Sequence, residues 1–282
     1  MKYAAVASLL LIVASSAVAK EDDTATYTDP KSTPPSYAIQ GEYEGTVHQT
    51  GDSYGAQVIA LGDDTFRLVS YKGGFPNAVR SHKDVLHDLE GKLVDGAAEF
   101  KHDQATLSVS DGELRVINPK GKQVATLDRV VRKSSTLGAE PPEDAIVLFD
   151  GSNGDAFDGG QVDDGLLLAN CFSKDKFGDH RLHLEFRTPF KPKGRGQGRG
   201  NSGVYLQSRY EVQVLDSFAL SGESNECGGI YQIAEPTVNM CFPPLQWQTY
   251  DIDFTAAKYD DSGTKTANAR VTIKHNGVVI HD

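Results

Sequence analysis

The chain has 282 residues, is 39% hydrophobic and 24% charged, and sets 28 Lys and Arg against 39 Asp and Glu for a formal net charge of −11. That acidity argues against a nucleic-acid partner, because holding a phosphate backbone takes clustered Lys and Arg. The length suffices for two domains at about 100–200 residues each.

The chain opens like a secretory signal over residues 1–19. Lys2 gives the positive start, Ala4 to Val13 an apolar run, and Ala17-Val18-Ala19 a small-residue cleavage site. The run is too short for a convincing membrane span, so the expectation is export (periplasm, cell surface or medium) with no span left after cleavage. Residues 20–36 are polar, carry Pro30, Pro34 and Pro35, and read as a disordered lead-in. From 37 to 133, short β-rich runs such as Gly55–Leu61, Thr65–Tyr71, Leu114–Ile117 and Val124–Val131 alternate with Asp-Gly and Gly-Gly turns. That spacing predicts a small antiparallel sheet or barrel, with Ser81–Leu89 the one helical stretch. Residues 134–143, closing near Pro141-Pro142, read as a linker.

Residues 144–282 return to strands: Ala145–Phe149, Gly165–Ala169, Arg181–Arg187, Asn201–Gln207, Arg209–Asp216, Trp247–Phe254 and Arg270–His275. Strands with alternating polarity and almost no helical period predict an all-β, two-sheet sandwich or jelly roll. His275-Asn276-Gly277 reads as a hairpin turn of type I′.

Three strands set polar groups on one face, because side chains two apart point the same way. His183, Glu185 and Arg187 alternate with Leu182, Leu184 and Phe186; Glu211 and Gln213 alternate with Val212 and Val214; Asp251 and Asp253 follow Trp247. If these faces coincide they form an acidic, aromatic-bordered surface suited to sugar hydroxyls. Each also reads as the wet side of a half-exposed sheet, and Trp247 as core. Asp251 and Asp253 are candidate ligands for a divalent ion, Ca²⁺ or a transition metal. Gly194–Gly200, Gly-Arg-Gly-Gln-Gly-Arg-Gly, lacks the following helix of a phosphate loop and reads as a mobile basic loop placed to overhang a ligand. Cys227 and Cys241 flank a Gly- and Pro-containing segment and are a candidate disulfide, Cys171 being the third thiol. All three also fit as buried small hydrophobes.

Leu148–Gly151, Phe177–Arg187, Asn201–Tyr205, Arg209–Asp216, Trp247–Phe254 and Asn268–Thr272 with His275–Val278 follow one another in an order that resembles the 3-keto-disaccharide hydrolase family. The resemblance implies a concanavalin-like, laminarinase-type β-sandwich and cleavage of a glycoside whose C3 hydroxyl is already a ketone, such as an oxidised disaccharide. Family members continue past His275–Ile280, so the expectation is a chain cut short at Asp282. The basic insertion 191–200 is also longer than the family's usual loop. The ketone acidifies the C2 proton; a base removes it, the C1 substituent leaves, and hydration completes a net hydrolysis. On this reading Glu211 or Glu185 is the base, His183 the acid, and Arg187 or a divalent ion steadies the enediolate. Gln213, Trp247 and Tyr205 hold the sugar. Two alternatives stay open: an ordinary two-carboxylate glycosidase and a non-catalytic module binding oligosaccharide.

Overall fold

The computed structural model describes residues 24–79 and 84–282 and is all-β. The signal-like residues 1–19 lie outside the described residues, as do residues 81–83 of the expected helix. What is described of that helix is strand, because β4 begins at Val85. Its alternating exposure is the two-residue period of a sheet, and pairing along β3 overrides local helix preference.

Eight antiparallel strands close a barrel in chain order: β1 Gly41–Val47, β2 Ser53–Gly62, β3 Thr65–Lys72, β4 Val85–Val94, β5 Ala97–His102, β6 Ala105–Ser110, β7 Glu113–Ile117 and β8 Gln123–Val130. β1 pairs with both β2 and β8, so no edge is left open. Gly45 permits the closure: a Cβ there would fall inside contact distance of the Thr126 carbonyl on β8. Tyr43, Val58, Phe66, Leu68, Phe100, Leu114 and Leu127 fill the interior. One end is stoppered by Phe190 and Leu245 from the C-terminal half and by Tyr27 and Tyr37 from the lead-in. From Thr24 onward that lead-in is therefore ordered, contrary to expectation. Tyr27 bridges to Phe190, and Ser36–Ile39 makes one helical turn, α1. Burying two aromatic side chains holds a segment that polarity alone leaves loose.

The C-terminal half opens with four two-residue strands, β9 Phe157–Asp158, β10 Val162–Asp163, β11 Leu166–Leu167 and β12 Phe172–Ser173. Next come β13 His180–Phe186, β14 Ser202–Leu206, β15 Tyr210–Val214, β16 Gln248–Thr255, β17 Lys258–Tyr259, β18 Lys265–Ala267, β19 Arg270–His275 and β20 Val278–His281. β13-β16-β19-β20 form a four-stranded antiparallel sheet, and β14-β15 a hairpin. The two pack face to face: Val204, Leu206 and Val212 meet Leu182, Leu184, Tyr250, Ile252, Phe254 and Ile273 in one core. Asn276 and Gly277 turn β19 into β20 with φ of 51° and 81°, the positive pair that a type I′ hairpin requires. The run Ala145–Phe149, strand-like in sequence, joins no sheet.

The halves are clamped together. Buried Glu42 of the barrel takes both Arg132 Nη2 (2.6 Å) and Nε (2.8 Å). The Arg132 guanidinium lies 5.0 Å from the ring centres of both Phe75 and Phe242. The 191–200 segment, expected to be mobile, is instead a second clamp. Arg195 Nη2 donates to the Leu61 carbonyl (2.8 Å), Lys193 pairs with Asp63 (2.8 Å), and Arg199 pairs with buried Asp216 (2.8 Å). Burial pushes the Asp216 carboxyl up while Arg199 pulls it down. Removing either partner would leave a buried charge alone, so the loop is fixed.

Candidate functional site

Because β13/β16 and β14/β15 share one core, the polar sides of both pairs point outward in opposite directions. The expected single surface is therefore two surfaces. Packed sheets sit about 10 Å apart, which puts the Glu185 and Glu211 carboxylates more than about 10 Å from each other.

On the first surface every acid is already engaged. Cross-strand pairing sets His183 against Asp251, Nδ1 to Oδ1 2.6 Å, and Arg181 against Asp253, 2.7 Å. The connecting segment lies across this face. Thr136 Oγ1 donates to Asp251 Oδ2 (2.7 Å), the Gly138 N–H donates to Glu185 Oε1, and Ser134 Oγ meets Thr249 Oγ1 at 2.6 Å. At the end of the same strand pair the Arg187 guanidinium stands 5.3 Å over the Trp247 ring. Trp247 is thus half-exposed and stacked on a cation rather than buried in the core.

The expected site residues are divided between the two faces. His183 and Glu185 do not join Glu211, and Arg187 is too remote to face an intermediate held there. Asp251 and Asp253, the candidate divalent-ion ligands, each have other partners: the Arg181 guanidinium meets Asp253, and His183 and Thr136 meet Asp251. Among the described residues no three His, Cys, Asp or Glu side chains form a metal cluster.

The second surface is built on β14 and β15. Tyr205 faces Glu211 across the hairpin and its hydroxyl donates to Glu211 Oε2 at 2.7 Å. That bond and then burial raise the Tyr205 phenol above its ordinary value, so it stays protonated through neutral pH. Gly203 lies beneath the carboxylate: a Cβ there would fall inside contact distance of Glu211 Oε1. Gln213 is buried one step along the same face. In one orientation its amide nitrogen donates to Gln197 Oε1 (2.7 Å); turned over, it donates to Ser202 O (2.7 Å) and Glu211 Oε1 (3.3 Å). Gln197 Nε2 in turn donates to Asn225 O (2.8 Å), and Asn201 Oδ1 lies 3.4 Å from Gln213 Nε2.

The segment 228–231 seals the flank of β15 through Gln213 N to Gly229 O, Gly228 N to Gln213 O and Tyr231 N to Glu211 O, each 2.9 Å. The result is one carboxylate, an exposed phenol and a ring of amides. Sequence reasoning missed Gln197 and Asn225. Gln197 sits inside the glycine-rich segment, and its position over Gln213 follows from the Arg199–Asp216 pair rather than from any local pattern.

Cys227 and Cys241 do come together, but as free thiols in the core. Cys227 Sγ lies 3.2 Å from Tyr250 Oη, and Cys241 Sγ donates to the Leu215 carbonyl at 3.5 Å. Burial pushes the Cys241 thiol well up. Cys171 lies half-buried on a separate segment and is also free.

A carboxylate, a phenol and amides on a sheet face form the kind of site that handles polyhydroxylated ligands. Residues 144–282 match the family model of the 3-keto-alpha-glucoside-1,2-lyase-like domain. A crystal structure from Parabacteroides distasonis described as a "putative glycosyl hydrolase" is 37% identical over 50% of this chain, with a TM-score of 0.47. The chain spans 65% of that protein's length. No functionally curated protein shows a significant match. No helix among the described residues is long and apolar enough to cross a membrane.

Proposed function

We propose that the C-terminal half, as a concanavalin-like sandwich, cleaves 3-keto-glycosides by elimination across C1–C2 followed by hydration. Glu211 is the base. Its contacts beyond the backbone are neutral, Tyr205 and Gln213, so no cation holds the carboxylate in an ion pair. It removes the C2 proton acidified by the neighbouring ketone. The Tyr205 hydroxyl, protonated and 2.7 Å away, hands a proton to the departing C1 oxygen. The side-chain amides of Gln197 and Asn201, which reach the surface beside buried Gln213, steady the enediolate oxygens. Water then adds across the new C1=C2 bond, its proton returning to C2, which gives the 3-keto sugar and the free alcohol.

The observation carrying this reading is the Tyr205–Glu211 pair on an amide-lined face. The match of residues 144–282 to the lyase-like family model supports that substrate class. An ordinary glycosidase using Glu185 with Glu211 is disfavoured, since a working pair needs about 5–9.5 Å and these lie on opposite outer faces. A non-catalytic sugar-binding module is the second reading, favoured by the neutral amide ring. Incubation with oxidised and unoxidised disaccharide separates them. Release from the oxidised sugar alone, lost in Glu211→Gln, is expected for the lyase; binding without release would leave the module.

A further inference from the structure

Away from Glu211, the inner face of the four-stranded sheet is only partly covered. Between it and the β14-β15 hairpin lies a cavity of about 340 Å³, lined by Leu206, Tyr210, Val212, Phe254 and Ile273. Its rim is basic: Arg209, Lys265 and Arg270 border it, and none has an ion pair among the described residues. Elsewhere the chain displays the complement. Ala145-Ile146-Val147-Leu148-Phe149 is the kind of β-branched and aromatic run that forms strands, yet it joins no sheet. Ile146 and Val147 are 65% and 56% exposed. Glu140, Glu143 and Asp144 precede the run and Asp150 follows it, all exposed.

We infer that this acidic-bracketed run of one copy docks into the basic-rimmed groove of a second copy. Three features select that occupant. The run is apolar where the groove is apolar. Its flanks are anionic where the rim is cationic. Among the described residues, run and groove are both open and do not meet each other. Five extended residues span about 17 Å, and the bracketing acids then sit at both ends, where a rim of cations can meet them. Reciprocal insertion would give a closed two-fold pair with two identical contacts. An unpaired strand-former and a half-covered sheet face are otherwise both aggregation hazards, and pairing removes each.

Sedimentation equilibrium of the whole chain over a concentration series tests this. A dimer is expected, weakened by salt, because part of the attraction is between exposed charges. Val147→Asp and Arg270→Glu should each raise the dimer dissociation constant by roughly tenfold or more. Combining Asp144→Arg with Arg270→Glu should recover much of the loss. Ile233 is exposed on the groove lining, so in a Cys171→Ser background, chains carrying Val147→Cys mixed with chains carrying Ile233→Cys should give a disulfide between copies. Val147 is exposed, so circular dichroism and melting of Val147→Asp should match the parent. A chain monomeric to on the order of 100 µM overturns the inference, whether the groove is then filled by another protein or by a small amphiphile. So does a dimer indifferent to both substitutions, or a mixture of the two cysteine variants that forms no disulfide between copies.

Discussion

The two polar faces of the C-terminal half look equivalent in sequence and differ in what completes them. On the β13/β16 face each acid meets a cation, a hydroxyl or a backbone N–H from the segment that connects the barrel. On the β14/β15 face Glu211 meets only a phenol and an amide. Saturated charge marks a docking surface; a carboxylate held without a counter-cation, beside a proton donor, marks a place for chemistry. Alternation gives both kinds of face alike, so only the partners tell them apart.

That contrast breaks most sharply at Glu211 and Glu185. Glu211→Gln should lower turnover of a 3-keto-glucoside by roughly 10³-fold. Glu185→Gln should change it by less than about tenfold and act through stability instead, by loosening the Gly138 contact. Steady-state kinetics beside thermal melts decides it, and the reverse pattern would exchange the roles of the two faces.

The clamp behind the first face should carry the next largest effect. Arg132→Met strands the buried Glu42 carboxylate and should cost about 3–5 kcal/mol in urea unfolding. Glu211 turnover per folded molecule should stay near the parent value, and a selective loss of turnover would tie the site to the clamp.

Acid should act on the core rather than on either face. His275 is buried against Gln248 Oε1 (3.0 Å), and burial lowers its pKa from 6.5 to about 3. The unfolded chain binds that proton more readily, so stability falls as pH drops from about 6.5 towards 3. In His275→Gln that part of the pH dependence of urea unfolding should vanish; an unchanged slope would assign it to other groups.

Two smaller changes sharpen the account of the second face. Gly203→Ala must shift Glu211, and displacement of about 1 Å at a reacting group costs on the order of 10²-fold in rate. Turnover should fall while substrate affinity moves little. Tyr205→Phe keeps the ring and loses the donor, so a drop of roughly 10–100-fold is expected. It should be larger for poor leaving groups, and equal loss across leaving groups would reduce Tyr205 to holding Glu211 in place.

Much of this was legible before any coordinates. The strands at Arg181–Phe186, Tyr210–Val214 and Arg270–His275 and the Asn276-Gly277 turn follow from alternation and turn chemistry, which are local. The order of the C-terminal motifs pointed to the family. Local rules failed where long-range partners decide. The Val85–Leu89 stretch became strand once a neighbouring edge took it, Ala145–Phe149 paired with no strand, and from Thr24 the lead-in packs on the barrel end it stoppers.

The sequence by itself determined which residues alternate, and hence that Glu211 and Gln213 share a side with valines behind them. Only the tertiary structure decided which side faces which. A strand states the period of its side chains but not its neighbour across the core. The single core beneath both polar faces set them back to back, left Glu211 with Tyr205 and the amides, and gave Glu185 and His183 to the connecting segment.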